Sequence, residues 1–145
     1  MLIQKISTYN IEGLAKLFTE LWTERDFEEE LVYCKELLKS EKEMCLVGKD
    51  RGEYISFIHV ACRFQEVEDV SQLPVCYIKG IYVQPSFRRI GVGNHLISLA
   101  ENWCKEKGCS QIAADTKTLN QQRITFYKNR GFRETIPLTI LIKEL

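Results

Sequence analysis

The segment from Val83 to Asn94 has the residue types of an anion-binding turn between a strand and a helix. Arg88 and Arg89 carry planar guanidinium groups, while Gly91 and Gly93 let the backbone bend tightly and approach a ligand. The first turn of a helix exposes N–H groups and carries partial positive charge, which favours phosphate or pyrophosphate. An ordinary helix start with solvated arginines has the same composition, so both interpretations stay open on these residues alone.

Two side chains further along could move a proton or bind an amine. Tyr127 has a reference pKa of about 10 and stays protonated at neutral pH, so it could act as a general acid or simply pack. Asp115 ends the apolar segment 111–115 and could anchor a cationic amine, remove its proton or cap the next turn. Because a carboxylate raises the pKa of a bound ammonium, we expect anchoring rather than direct proton abstraction.

The zero net charge hides an uneven distribution along the chain. Residues 1–73 carry 15 acidic and 9 basic side chains, whereas residues 74–145 carry 5 and 11. We therefore expect an anionic ligand on the second half and a cationic one on the first, and no general nucleic-acid binding. The acidic segment with Glu66 and Glu68 would suit a polycation, although each carboxylate could equally be only solvated.

The cysteines and histidines predict neither a metal site nor disulfides. The six cysteines are scattered without a C-x-x-C pair, mostly in apolar segments, and His59 and His95 have no Cys or His neighbour at metal-ligand spacing. We expect reduced core thiols and a cytoplasmic protein, because no secretion signal and no apolar run of membrane-spanning length is visible.

The elements needed to position these residues follow from periodicity and turn signals. A chain of 145 residues supports one domain, 1–145. Helices are predicted from Ile11, over 27–39, 92–107 and 121–129, and strands over 2–6, 44–48, 54–64, 75–83 and 111–115, before a final hairpin reaching 138–142. The Glu28–Glu30 run is expected to be a solvated first helical turn. The order predicts an α/β (α+β) fold with a mixed, mostly antiparallel sheet and helices on both faces.

Two motifs together resemble the GNAT superfamily of acetyl-CoA-dependent N-acetyltransferases. The first is Q/R-x-x-G-x-G/A, filled by Arg88, Gly91 and Gly93; the second is Asn120 followed by Phe126-Tyr127 and an ending at Gly131-Phe132. The resemblance implies a GNAT-like sheet with a splayed parallel strand pair. It also implies acetyl-CoA as the co-substrate, no metal, and a homodimer.

The resemblance also implies roles for individual residues. The turn that would cradle the CoA pyrophosphate consists of Arg88, Arg89, Ile90, Gly91, Val92, Gly93 and Asn94. The backbone of Ile81 and Val83 would pair with the acetyl and pantetheine portion, Asn120 would reach the pantetheine arm, and Tyr127 would be the general acid. Gly80 would allow a bulge that presents an N–H near Ile81 to the developing oxyanion.

Within the superfamily the chain is most similar to aminoglycoside 6'-N-acetyltransferases. The similarity lies in Ala114-Asp115-Thr116 followed by Asn120, and in the segment from Pro74 to Val83. Lys79 stands where that group usually has glutamate, which could favour a substrate with a carboxylate. The expected acceptor is a small, cationic primary amine, with Glu66, Glu68 and Asp115 binding it. A protein or amino-acid acetyltransferase and a non-catalytic CoA-binding module are the alternatives.

Overall fold

The computed structural model describes residues 1–64, 73–116, 120–135 and 141–144. These residues fall into two units, Met1–Ala114 and Asp115–Leu145. The elements of the first unit are β1 (Leu2–Lys5), α1 (Ile11–Leu21), α2 (Phe27–Leu37), β2 (Glu43–Asp50), β3 (Glu53–Arg63), β4 (Val75–Val83), α3 (Val92–Glu106) and β5 (Ile112–Ala114). The described part of the second unit contains α4 (Gln121–Lys128).

The first unit is built on a five-stranded sheet in the order β1-β2-β3-β4-β5. The first three pairings are antiparallel and β4–β5 is parallel. The β4–β5 ladder covers residues 76–78 only, whereas β4 continues to Val83. The predicted fold class is therefore confirmed, including the parallel pair.

Helices cover both faces of this sheet. Leu14, Leu17 and Phe18 recur at helical spacing on α1 and are buried, and the Phe18 ring meets the β3 residue Phe57 edge-on with centroids 4.8 Å apart. On the opposite face α3 packs on β3 and β4 through buried Leu96, Ile97, Ala100 and Cys104. These two layers hold β4 between aromatic and aliphatic surfaces.

Local signals explain most of the element boundaries. The Asp26 side chain accepts a hydrogen bond from the Glu29 N–H at 3.1 Å and so caps α2. Arg51 and Gly52 both have positive φ, the backbone of a tight hairpin turn, so β2 continues two residues beyond its predicted carboxyl-terminal end at residue 48. The boundaries of β4 agree with the sequence prediction at both ends.

Several expectations need correction. Asn10 stands at the N-cap position of α1, where an asparagine is expected to cap the helix, but its side chain bonds backward, to the Ser7 N–H at 2.8 Å and the Lys5 carbonyl at 3.0 Å, and makes no capping bond. Glu30 is buried rather than solvated, because it packs inward and pairs with Arg25. The predicted final hairpin falls partly on residues 136–140, which lie outside the described residues; the flanking 132–135 and 141–144 carry no strand.

The cysteine prediction is wrong for one pair. Cys76 on β4 and Cys104 on α3 form a disulfide, with Cα atoms 5.8 Å apart. The pairing arises because α3 packs across β4 and brings two cysteines of separate apolar segments into contact. The other four, Cys34, Cys45, Cys62 and Cys109, are buried free thiols. None of the described helices is long and apolar enough to cross a membrane.

Candidate active site

The turn between β4 and α3 has an exposed backbone of unusual shape. After a short 3₁₀ turn at Pro85–Phe87, Arg89 has φ +66° and Gly91 has φ +91°, and α3 begins at Val92. A Cβ on Gly91 would meet no atom of the described residues within 4 Å, so the surface above the bend is open in this part of the chain. Gly91 has no side chain with which to cap α3, which leaves the first-turn N–H groups facing this open surface. The geometry fits an approaching pyrophosphate.

Arg88 is held against the end of β4. Its Nε donates to the Val83 carbonyl at 2.7 Å, and its guanidinium carbon lies 5.7 Å from the Tyr82 ring centroid. The side chain is exposed, as are those of Arg89 and Ile90. The first unit therefore brings Val83, Arg88 and the glycine bend together, as the sequence predicted.

A bulge in β4 lies between Ile78 and Gly80. Ile78 pairs with Val60 and Gly80 with His59, so Lys79 is an extra residue between two consecutive pairs. A Cβ on residue 80 would lie 2.6 Å from the Trp22 ring, which only glycine avoids. The predicted bulge next to Gly80 is thus present, and the close approach of the Trp22 ring explains why residue 80 is a glycine.

Beside the bulge, a cavity of about 350 Å³ opens between α1, α2 and the sheet. It is lined by Phe18, Trp22, Arg25, Glu29, Glu30, Tyr33, His59 and Lys79. The guanidinium of Arg25 stacks 4.0 Å above the Trp22 ring and pairs with Glu30 at 3.4 Å. The cavity thus combines an aromatic wall with charged groups, a lining suited to a polar ligand that carries ammonium groups.

A hydrogen-bonded cluster forms one side of this cavity. Glu43 Oε1 lies 3.0 Å from His59 Nε2, 3.1 Å from Lys79 Nζ and 3.4 Å from the Tyr33 hydroxyl, while Lys79 also donates to that hydroxyl at 3.1 Å. Burial lowers the pKa of His59 to about 4, an effect that Glu43 only partly offsets, so the ring is neutral at pH 7.

The same cluster fixes the charges of Glu43 and Lys79. Partial burial raises the pKa of Glu43, but Lys79 and His59 outweigh this and lower it below its ordinary value. For Lys79, burial opposes the charge, yet the hydrogen bonds with Tyr33 and Glu43 raise its pKa overall. Glu43 and Lys79 are therefore an ion pair at neutral pH.

The second unit contains the other residues singled out by the sequence. The Asn120 side chain accepts a hydrogen bond from the Arg123 N–H at 3.1 Å and caps α4. Tyr127 is buried, with ring centroids 5.4 Å from Phe126 and 5.1 Å from Phe132. Burial raises its pKa; Arg123 opposes the rise and Asp115 adds to it. Asp115 is exposed, just after β5.

The two remaining predicted acceptor ligands, Glu66 and Glu68, lie outside the described residues. Sequence reasoning missed Tyr33 and Arg25, which line the cavity, and Glu43, which bonds to its lining. It also assigned no role to His59. A signal was present, since α2 presents Glu29, Glu30 and Tyr33 within one and a half turns. Glu43 gave no signal, because its place depends on the β2–β3 register, which sets it near His59.

The sequence of the chain is similar to a known protein family and to named proteins. A family model described as "Acetyltransferase (GNAT) family" matches residues 9–132. An aminoglycoside N(6')-acetyltransferase type 1 of Serratia marcescens is 30% identical over 87% of this chain and 87% of that protein. One from Acinetobacter haemolyticus is 28% identical over 100% of this chain and 99% of its own length.

Solved structures agree in fold. The structure of AAC(6')-Iy in complex with the bisubstrate analogue CoA-S-monomethyl-acetylneamine has a TM-score of 0.92 and 27% identity, covering 99% of this chain and 98% of that one. The apo structure of the aminoglycoside 6'-N-acetyltransferase AAC(6')-IG from Acinetobacter haemolyticus has a TM-score of 0.91 and 28% identity, covering 100% and 99%.

Proposed function

Because the chain belongs to the acetyltransferase (GNAT) family and catalyses acetyl transfer from acetyl-CoA to an amine, we propose that its acceptor is the 6'-amine of an aminoglycoside. The observation that carries the proposal is the charge of the cavity beside the β4 bulge. Three carboxylates, Glu29, Glu30 and Glu43, face or support it against two cations, Arg25 and Lys79. The surplus negative charge favours a ligand with several ammonium groups.

The aromatic wall of the cavity suits the same class of acceptor. The rings of Phe18, Trp22 and Tyr33 offer faces on which the apolar side of an amino sugar can rest, and which attract a nearby ammonium. A substrate with a free carboxylate would meet the surplus negative charge instead. Because Lys79 is already paired with Glu43, we no longer expect it to select a carboxylate-bearing acceptor.

Coenzyme A would bind at the turn from Arg88 to Asn94. The open surface over Gly91, the uncapped N–H groups of α3 and the two exposed guanidinium groups favour its pyrophosphate. Backbone groups of Ile81 and Val83 would pair with the acetyl and pantetheine portion. Asn120 would contact the pantetheine arm, in keeping with the family resemblance.

The chemistry requires a neutral amine and a proton for the leaving thiolate. The amine nitrogen attacks the thioester carbonyl carbon, an N–C bond forms, the C–S bond breaks and the sulfur leaves as a thiolate. Tyr127 would give that thiolate its proton, since its raised pKa keeps the hydroxyl protonated at neutral pH. The nitrogen, which is positively charged once the N–C bond forms, would lose a proton to solvent, and solvent would return a proton to the Tyr127 oxygen. Asp115 would anchor the ammonium before it loses its proton to solvent, and direct abstraction by Asp115 is the alternative.

A matched pair of acceptors tests the proposal. Neomycin has an amine at the 6' position and paromomycin has a hydroxyl there, with the rest of the molecule identical. Incubation with acetyl-CoA should add one acetyl group to neomycin and none to paromomycin, measured by mass spectrometry and by thiol release. Polyamines, amino acids and peptides are tested in parallel. Acetylation of peptides alone would contradict the assignment of an aminoglycoside as the acceptor. Binding of CoA without any acetylated product would indicate that the chain is a non-catalytic CoA-binding module.

Two further expectations stay predictions. The homodimer implied by the family resemblance is checked by light scattering of the purified chain. The cytoplasmic location is checked by fractionation of cells that produce it.

A further inference from the structure

Glu43 and Lys79 give the cavity an ammonium of its own. The Lys79 Nζ lies 3.1 Å from the Glu43 carboxylate and 5.7 Å from the centroid of the Tyr33 ring, with the side chain about one-third exposed. A carboxylate combined with an aromatic face is the arrangement that recognises a ligand's ammonium group. Here that arrangement is already occupied by a residue of the chain.

The β4 bulge puts Lys79 in this position. Lys79 is the extra residue between Ile78 and Gly80, and the bulge changes the alternation of side chains along the strand. Gly80 leaves room for the Trp22 ring, while Lys79 reaches the cavity beside it. The ammonium is held by Glu43 and the Tyr33 hydroxyl together, so it is fixed rather than solvated at random.

We propose that Lys79 is a specificity-determining residue that takes the place of a substrate ammonium as the partner of Glu43. Acceptors with a hydroxyl at the position that faces this ion pair are therefore favoured over acceptors with an amine there. The inference rests on the proposed function, because it assumes that the acceptor enters this cavity. Removing the Lys79 charge would leave Glu43 with hydrogen bonds from His59 and Tyr33 but without the ammonium that now pairs with it. The cavity would then favour an additional substrate amine.

The opposite change should have the opposite effect. Glu43→Gln would leave Lys79 as an uncompensated cation facing the acceptor and would repel polycations. Lys79→Met with Glu43→Gln removes both charges together and should bind acceptors much as the natural chain does. The change in affinity for polycations thus has opposite signs in the two single variants. A general disturbance of the cavity would instead weaken binding in every variant.

Kanamycin A and kanamycin B provide the probe, since they differ only by a hydroxyl or an amine on the ring that carries the 6'-amine. Binding of each to the CoA-loaded protein is measured by titration calorimetry, and turnover by thiol release. Lys79→Met should shift the affinity ratio toward kanamycin B by about fivefold, the effect of one partly exposed ion pair. Lys35→Met removes an exposed α2 lysine outside the cavity lining and should leave the ratio unchanged.

The outcomes are distinct from those that test the function. An unchanged ratio in both Lys79→Met and Lys79→Gln, or an equal shift in Lys35→Met, would overturn the role of Lys79 while leaving the acetyltransferase intact. If the kanamycins bind with the expected shift but are not acetylated, the acceptor assignment fails and the role of Lys79 stands. Absence of kanamycin binding by the natural chain would overturn the role of Lys79, because no polycation would then enter the cavity. Thermal melting of each variant confirms that it is folded.

Discussion

Tyr127 combines a buried ring with a hydroxyl whose pKa is raised, chiefly by burial. The ring contacts to Phe126 and Phe132 explain why the residue is aromatic, but phenylalanine would satisfy them equally. A role in packing and a role in proton transfer therefore predict different results for loss of the hydroxyl alone.

Tyr127→Phe should lower kcat by about 100-fold with little change in the KM for acetyl-CoA, because only the proton donor is removed. Steady-state kinetics by thiol release measures both constants. Tyr9→Phe, at a tyrosine that is 93% exposed, is the matched control and should change neither kcat nor KM. A Tyr127→Phe enzyme with undiminished kcat would mean that Tyr127 only packs.

His59 should make the stability depend on pH. Its pKa is about 4 in the folded chain, below its ordinary 6.5, so the unfolded chain binds the extra proton between these values and stability falls as pH is lowered through this window. We expect a loss of about 2 kcal/mol between about pH 7 and pH 5, measured by urea unfolding. The lowered pKa of Glu43 adds a further loss of stability only when the pH falls below the pKa of this residue in the unfolded chain, near 4.5.

The second histidine provides the control for this pH dependence. His59→Gln keeps a hydrogen-bond donor near Glu43 and should flatten the stability profile between these pH values. His95→Gln, at an exposed position on α3, should leave the profile as it is. Equal profiles for the natural chain and His59→Gln would show that burial of His59 does not govern acid stability.

At the level of elements, the turn before α3 depends on the positive φ of Gly91. The added Cβ of Gly91→Ala meets no steric contact among the residues that the structure describes, so the substitution should cost only the backbone strain of about 1 kcal/mol. Relaxation of that strain would move the first-turn N–H groups and weaken CoA binding by about fivefold. Calorimetry of CoA binding and urea unfolding measure the two effects.

Gly108 offers a control with the same strain at the other end of α3. It has φ +84° and, like Gly91, no atom from the described ranges of the chain within 4 Å of an added Cβ. Gly108→Ala should lose the same stability without loss of CoA affinity. If both variants bind CoA as the natural chain does, the turn is not the pyrophosphate site.

The sequence predicted those elements whose signals are local. β4 was predicted at both ends because its apolar run is bounded by two prolines, and α3 because Gly108 ends it. The turn at Arg88–Gly91 followed from residue types alone. Glu43, Tyr33 and Arg25 could not be placed, because their positions depend on strand register and on how α2 packs against the sheet.

For the molecule as a whole, the division of charge along the chain has a structural counterpart. The acidic first half supplies Glu29 and Glu30, which line the cavity, and Glu43, which bonds to the lining residues His59 and Lys79. The basic second half supplies Arg88 and Arg89. A polycationic acceptor and an anionic co-substrate would thus be attracted to different parts of the first unit. The zero net charge of the chain is therefore consistent with the binding of two ligands of opposite charge, and it does not indicate that the chain binds no charged ligand.

The Cys76–Cys104 disulfide ties the sheet to α3 and bears on the stability of the whole first unit. It closes a loop with a sequence separation of 28, so reduction should lower stability by about 3.5 kcal/mol through the entropy of the unfolded chain. Alkylation of the denatured, unreduced protein should modify four thiols, and reduction should expose two more. The double variant Cys76→Ala with Cys104→Ala should unfold identically with and without reductant. Six reactive thiols before reduction would instead support the reduced core that the sequence alone predicted.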